Sequence, residues 1–152
     1  MQVSSRFSIG VHILSLLGAY PDAENTSEYM AGSIGANPVV VRNVTGMLRR
    51  AGLVATQQGV AGTRLVKPLE EITLRDVYGA VRAVEDGNLF GFHPNPHPNC
   101  LVGGNIEATL EREFTAAQAA MENRLAQTTL QEVVRKLREA ASGRPPGDST
   151  HC

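Results

Sequence analysis

This chain of 152 residues has no tryptophan, only 5% aromatic residues and two cysteines, Cys100 and Cys152. With 42% hydrophobic residues, its core is expected to be built mainly from aliphatic side chains. Two cysteines cannot form a disulfide framework, which fits a reducing, cytoplasmic setting. No uninterrupted apolar run reaches the length of a bilayer span, so no membrane partner is expected. Arg6 is not followed by an apolar block with a cleavage site, so no secretory signal is expected either. A large excess of one charge is also missing. The net charge is −1, which argues against a generic polyanion binder.

The charge that is present is unevenly placed. Residues 1–67 hold six basic side chains (Arg6, Arg42, Arg49, Arg50, Arg64, Lys67) against three acidic ones (Asp22, Glu24, Glu28), giving +3; the remainder holds eight basic and twelve acidic groups, giving −4. A cationic first half beside an anionic second half suits a DNA-binding module joined to an assembly or sensing region.

Local patterns divide the chain. Ser4 or Ser5 can cap a helix to about Leu17, with Phe7, Val11 and Leu14 on one face and Gly18 and Pro21 as its end. Thr26 or Ser27 caps a short helix carrying Tyr29, Met30 and Ile34, and Gly35 closes it. Asn37 caps a third helix, with Pro38 at the first position, where its missing N–H would have been unpaired anyway. Val41, Val44 and Leu48 share its inner face, whereas Val39, Arg42, Asn43 and Gly46 fall on other faces, and Gly52 fits the C-terminal cap. Residues 53–57 and 63–66 read as strands around a Gly59-Val60-Ala61-Gly62 turn, a hairpin wing. Thr73-Leu74-Arg75-Asp76 resembles a capping box that opens a fourth helix, with Leu74, Val77, Val81 and Val84 inward. In the stretch 86–104, Pro94, Pro96 and Pro98 exclude helix and predict an extended, semi-rigid loop. Ile106, Leu110, Phe114, Ala117, Met121 and Leu125 then form a long apolar stripe on one helix. Thr129-Leu130-Gln131-Glu132 predicts a break near Thr128 and a last helix with Leu130, Val133, Val134 and Leu137.

The third helix and the wing carry the first candidate chemistry. Arg42 can bond guanine, Asn43 adenine, and Val39 or Val40 can meet a thymine methyl. Arg6, Arg49, Arg50, Arg64 and Lys67 are candidates for phosphate, which positions a protein without reading sequence. Gln57 and Gln58, near the wing tip, can reach a minor-groove edge or the backbone. Winged helices also serve purely in protein contacts, so a protein-interaction module is a competing reading.

Several segments together resemble the Rrf-two family of bacterial winged-helix regulators. They are Arg6-Phe7-Ser8 with His12-Ile13-Leu14, residues 38–54 ending in Leu48-Arg49-Arg50-Ala51-Gly52-Leu53-Val54, the wing Gly59-x-x-Gly62-Thr63-x-Leu65, and Pro68-x-Glu70-x-Ile72-Thr73-Leu74-x-Asp76-Val77. The similarity covers about residues 2–140. It implies a homodimeric transcription regulator, usually a repressor, with a long C-terminal dimerisation helix and paired recognition helices on a palindromic operator. Two departures stand out. Gln58 occupies a position where the family usually has Arg, and Cys100 stands alone where cluster-binding members carry three cysteines. An iron–sulfur cluster is therefore not expected, and no cofactor is assigned.

The loop holds the second constellation, His93, His97 and Cys100 at H-x3-H-x2-C spacing. The residue types suit zinc or copper, but the interleaved prolines limit how the loop can surround an ion. Three readings stay open: a rigid linker, a metal site, and a redox sensor whose Cys100 thiol is activated by the helix starting near Asn105 and by His97. A rival from another class is a small thiol-dependent enzyme, with Cys100 as nucleophile and His93 or His97 as base. No third orienting residue is readable for it.

The long stripe is the third constellation. One small domain cannot cover it, so a second copy is the expected cover, with the last helix wrapping the other protomer's wing domain. The expected fold is mainly α with a small β-hairpin wing. Its parts are a winged helix-turn-helix domain over 1–86, a connector loop over 87–104, dimerisation helices over 105–141 and a disordered tail over 142–152. The expected function is a homodimeric, sequence-specific DNA-binding repressor on an inverted-repeat operator, responsive to redox state through Cys100, and not an enzyme.

Overall fold

The computed structural model describes residues 4–83 and 87–143. Val84, the boundary at Asp86, and nearly all of the tail with Cys152 lie outside the described residues. The elements are α1 (Arg6–Ala19), α2 (Ser27–Ile34), α3 (Pro38–Arg50), β1 (Val54–Gln57), β2 (Val60–Leu65), a 3-10 turn (Leu69–Glu71), α4 (Leu74–Ala80), α5 (Ile106–Ala126) and α6 (Leu130–Ser142). The fold is mostly helical with one two-stranded antiparallel hairpin. No helix among the described residues is long and apolar enough to cross a membrane.

The helix starts follow local chemistry. The hydroxyl of Thr26 accepts the N–H of Tyr29, and Gly35 closes α2 in the left-handed region at φ +73°. Asn37 accepts the N–H of Val39 at 2.9 Å, with Pro38 in the first turn. Thr73 and Asp76 form a reciprocal capping box, whereas Thr129 accepts from the Glu132 N–H. Such caps satisfy amide groups that the helix itself leaves unpaired, at about 1 kcal/mol each. The end of α3 is a Schellman motif. Gly52, at φ +78°, donates to the Arg49 carbonyl, and Leu53 donates to that of Leu48. Leu48 and Leu53 are both buried beside this turn, which ties the helix end to the first strand.

The core sits where α1, α3, α4 and α6 meet. Ile13, Leu14, Met30, Val41, Val44, Leu48, Val54, Ile72, Val77, Val81 and Leu130 are all buried there. It is aliphatic, as the composition implies. Around it the structure departs from the sequence reading in five places.

First, α1 runs on through Gly18 to Ala19. Gly18 is not a terminator, because a Cβ there would collide with Leu69; the missing side chain lets the 3-10 turn pack on the helix. Second, β2 begins at Val60, so the wing turn is only Gln58-Gly59, and Ala61 and Gly62 belong to the strand. The register shifts between Thr56 and Gln57, a bulge that absorbs the unequal strand lengths. Third, Gly46 is buried rather than on an open face, because the guanidinium groups of Arg49 and Arg50 lie over it.

Fourth, the loop is not extended throughout. Between His97 and Ile106 it folds into consecutive tight turns, with Cys100 N–H donating to His97 O, Gly104 N–H to Cys100 O, and Ile106 N–H to Val102 O. Added Cβ atoms would lie 2.7 Å from His97 O at Gly103 and 2.5 Å from Pro98 O at Gly104, so these glycines permit the turns. Upstream, Phe90 stacks on Phe114 of α5 with centroids 4.7 Å apart, and Phe92 tilts against it at 5.5 Å.

Fifth, α6, expected to wrap another protomer, is covered within its own chain. It packs on α1 and the 3-10 turn of its own chain. The joint before it is stitched to the head by Leu74 N–H to Thr128 O at 2.9 Å and Leu130 N–H to Ile72 O at 2.8 Å. Leu130 and Val134 are buried in that packing, while Leu137 stays 54% exposed.

Candidate nucleic-acid interface

From Pro38 to Lys67 the chain carries Arg42, Arg49, Arg50, Arg64 and Lys67 and no acidic residue. The fold exposes all five. With Val41, Val44 and Leu48 turned inward, the opposite face of α3 presents Val39, Arg42, Asn43, Arg49 and Arg50. Val39 and Val40 are 52% and 39% exposed near its N-terminus. A helix with small apolar and polar side chains in its first turns, and cations at its end, can enter a major groove and hold the flanking backbone.

The wing follows directly from the α3 cap, so its position is fixed by the Schellman turn. Arg49 of α3 donates to the Thr56 hydroxyl of β1 at 3.4 Å. Arg64 of β2 donates to the Gln57 side chain of β1 at 3.2 Å. Arg50 and Lys67 make no ion pair among the described residues, and Gln58 sits exposed at the turn. The wing base is anchored to the loop between α1 and α2 by Thr63 N–H donating to Asn25 O at 3.1 Å. Asn25 itself is buried at φ +48°, and its side-chain amide donates to Tyr20 O.

Two sequence candidates have partners that spacing did not reveal. Arg42 forms an ion pair with Glu28 of α2 at 3.1 Å. Their side chains are 53% and 68% exposed, so the pair contributes only about 0–1 kcal/mol. Arg6 stands apart from the α3–wing group. It is half-buried and donates to the Arg82 carbonyl at 2.9 Å, beside Ser4 N–H on Ala83 O. Its Nε is buried without a partner. Arg6 thus clasps the start of α1 to the end of α4. Sequence reasoning also missed Thr56 as the support of Arg49, and His12, whose Nε2 shares a hydrogen bond with the Ser33 hydroxyl at 2.9 Å. Burial holds the His12 pKa below its ordinary value.

The loop constellation does not assemble as the spacing allows. Cys100 is exposed and free. Its thiol is held below the ordinary range by the backbone N–H of Gly103, and then of Val102, not by the start of α5 or by His97. The His97 Nδ1 instead accepts the Asn99 N–H at 3.2 Å. Among the described residues no three His, Cys, Asp or Glu side chains converge on a point where a metal ion could sit.

Comparison with known proteins gives this geometry a context. The family described as Rrf2, iron-dependent transcriptional regulator, matches residues 3–136. The chain is 40% identical over 135 residues to YwnA of Bacillus subtilis (strain 168), assigned as an HTH-type transcriptional regulator, covering 89% of this chain and 98% of that one. A crystal structure of a protein assigned to DNA binding superposes with a TM-score of 0.70 at 36% identity, covering 85% of this chain and 98% of the other. The structure of CymR, the global cysteine regulator of B. subtilis, shares the fold with a TM-score of 0.65 at 18% identity, over 89% and 97% of the two chains. The iron dependence in the family description finds no matching donor set among the described residues, where Cys100 is the one thiol. The coverage, the identity and the α3–wing architecture agree: this chain belongs to the Rrf2 family of DNA-binding transcriptional regulators.

Proposed function

We propose that the protein acts as a homodimeric repressor on an inverted-repeat operator, with α3 in the major groove and the wing on the adjoining backbone. The observation that carries this reading is the exposed, cationic face of α3 and the wing, a segment that contains no acidic residue of its own. Pairing is supported by α5, none of whose 21 residues is fully buried within the single chain although it bears the apolar stripe. Just ahead of it, Leu101 and Val102 are 85% and 64% exposed. A second copy is the natural cover for such a surface. Residues 1–86 together with α6 then form the reading head, residues 87–104 the connector, and α5 the pairing helix. A dimer would set two α3 helices about 34–36 Å apart, in successive major grooves. A protein so seated on promoter DNA excludes others from it, which is repression.

In this reading Arg42 and Asn43 read bases, Val39 meets a thymine methyl, and Arg49, Arg50, Arg64 and Lys67 hold phosphates. Gln57 and Gln58 lie at the wing tip. Replacing Arg50 with Ala should weaken binding to every duplex by the same factor and lower the salt slope by about 1 per protomer. Replacing Arg42 with Ala should relax one base position per half-site, by about 1–3 kcal/mol. Selection of bound genomic fragments with purified parent and variants measures both. If each variant recovers the parent's fragments with the parent's affinity, this docking is wrong.

Cys100 is the proposed redox element. The amides that lower its pKa favour thiolate, the reactive form. Thiolate attack on a hydroperoxide breaks the O–O bond, places one oxygen on sulfur as sulfenic acid, and releases the other as water or alcohol. The same fragment selection, run reduced and after one equivalent of peroxide, should differ for the parent and not for Cys100→Ser. Equal behaviour of parent and variant removes the redox role but leaves DNA binding untouched.

A further inference from the structure

We propose that Glu28, on the helix before the recognition helix, is a specificity-determining residue that positions Arg42 for its base. This rests on the assignment of Arg42 as a base reader and adds a residue from a different helix to the readout. Only one nitrogen of the guanidinium is engaged. Glu28 Oε1 accepts from Arg42 Nη1 at 3.1 Å, and Arg42 has no other hydrogen bond or ion pair among the described residues. Nη1 lies on the same side of the guanidinium as Cδ. The opposite edge, formed by Nε–H and Nη2–H, therefore stays open. That edge holds two parallel donors at the spacing that suits the O6 and N7 of guanine. A carboxylate on Nη1 can remain in place while the other edge reads the base, so binding need not break the pair.

Helix geometry makes the arrangement durable. Glu28 stands in the first turn of α2, where a carboxylate is favoured by the helix dipole. The Thr26 cap and the left-handed Gly35 fix both ends of α2, and α2 packs directly on α3. Without Glu28, Arg42 would sample its full range of rotamers and would meet any nearby phosphate as readily as a base. With Glu28, Arg42 is held back from the phosphates, and a site lacking the guanine leaves its two open donors unmatched. The pair should therefore raise affinity for the cognate site and lower it for all others.

The test uses the purified full-length protein and duplexes carrying the site recovered by selection, each single-base variant of it, and a random duplex. Glu28→Gln, which keeps shape and removes charge, should lower the ratio of cognate to random affinity by about tenfold. The lost discrimination should fall at the same base position that Arg42→Ala relaxes. In the Arg42→Ala background, Glu28→Gln should leave that position unchanged. Glu24→Gln serves as the control, because Glu24 is an exposed acid in the preceding loop with no ion pair among the described residues. It should shift all affinities equally if it shifts any. If Arg42→Ala relaxes one position and Glu28→Gln relaxes none, or acts identically in both backgrounds, the role of Glu28 is refuted while the readout by Arg42 stands. If Arg42→Ala itself leaves every base preference intact, the reader assignment fails and this inference falls with it.

Discussion

Raising salt from 50 to 200 mM should weaken operator binding by about 10³–10⁵-fold. Each protomer brings four cations assigned to phosphate, Arg49, Arg50, Arg64 and Lys67, none of them in an ion pair among the described residues. Each phosphate they neutralise releases condensed counterions, and the logarithm of affinity falls with that of salt by about 0.9 per contact. Two heads on one site therefore give a slope of about −7, and a single head about −4. Titration of a fluorescent operator across that range reads the slope directly. A value near −7 supports paired heads and one near −4 supports a lone head. A slope near zero would show that the cationic surface does not meet the backbone at all. Net charge offers no such prediction, because the −1 total hides a segment that is wholly cationic.

Replacing Gly62 with Ala should detach the wing from the head. Gly62 lies at φ +94°, and a Cβ there would fall within the radius of the Glu24 carbonyl oxygen. That obstacle is backbone, so no rotamer change relieves it. The loop between α1 and α2 would have to move, breaking the Thr63 N–H bond to Asn25 O and exposing buried Asn25. Strain and lost contacts together should cost about 2–4 kcal/mol and lower Tm by roughly 5–12 °C. Gly59→Ala is the matched comparison. Gly59 is also left-handed, at φ +77°, but nothing lies within 4 Å of an added Cβ, so only about 1–2 kcal/mol of backbone strain is expected. Thermal melts and hydrogen exchange at the Thr63 amide separate the two. Equal effects of the two variants would mean that the wing is not docked through Gly62. The operator affinity of Gly62→Ala should also fall, because Arg64 rides on the displaced strand.

These variants mark where the sequence was legible. Helix starts could be read because capping is local: Thr26, Asn37, Thr73 and Thr129 each bond an amide two or three residues away. The exposed face of α3 could be read for a similar reason, since periodicity alone turns Val41, Val44 and Leu48 inward. Glycines were harder. Gly18 and Gly62 look like turn signals but are sites of close approach, by Leu69 and by Glu24 in turn, and such neighbours leave no local pattern. The same holds for the partners of the site residues. Glu28 meets Arg42 across a turn, and Arg6 meets Arg82 across the whole head. The amphipathic pattern of α6 demanded a cover, which was expected on the other protomer. Backbone pairing of Ile72 and Leu74 with the 128–130 joint sets α6 against α1 of its own chain.

That joint has a mechanical consequence. Near its C-terminal end α5 is clamped to the reading head by the two backbone bonds at 128–130 and by Arg75 on Glu122 at 3.8 Å, and partway along, Phe114 is gripped by Phe90 and Phe92. A helix held at two separated points behaves as a stiff axle. If Cys100 is the redox element proposed above, a twist applied at its leading end, beside the turn that holds the thiol, would pass to the head as rotation of a whole body. In the proposed dimer, a few degrees at the axle would then become a change in the distance between two grips on a duplex, whose own pitch does not adjust to follow.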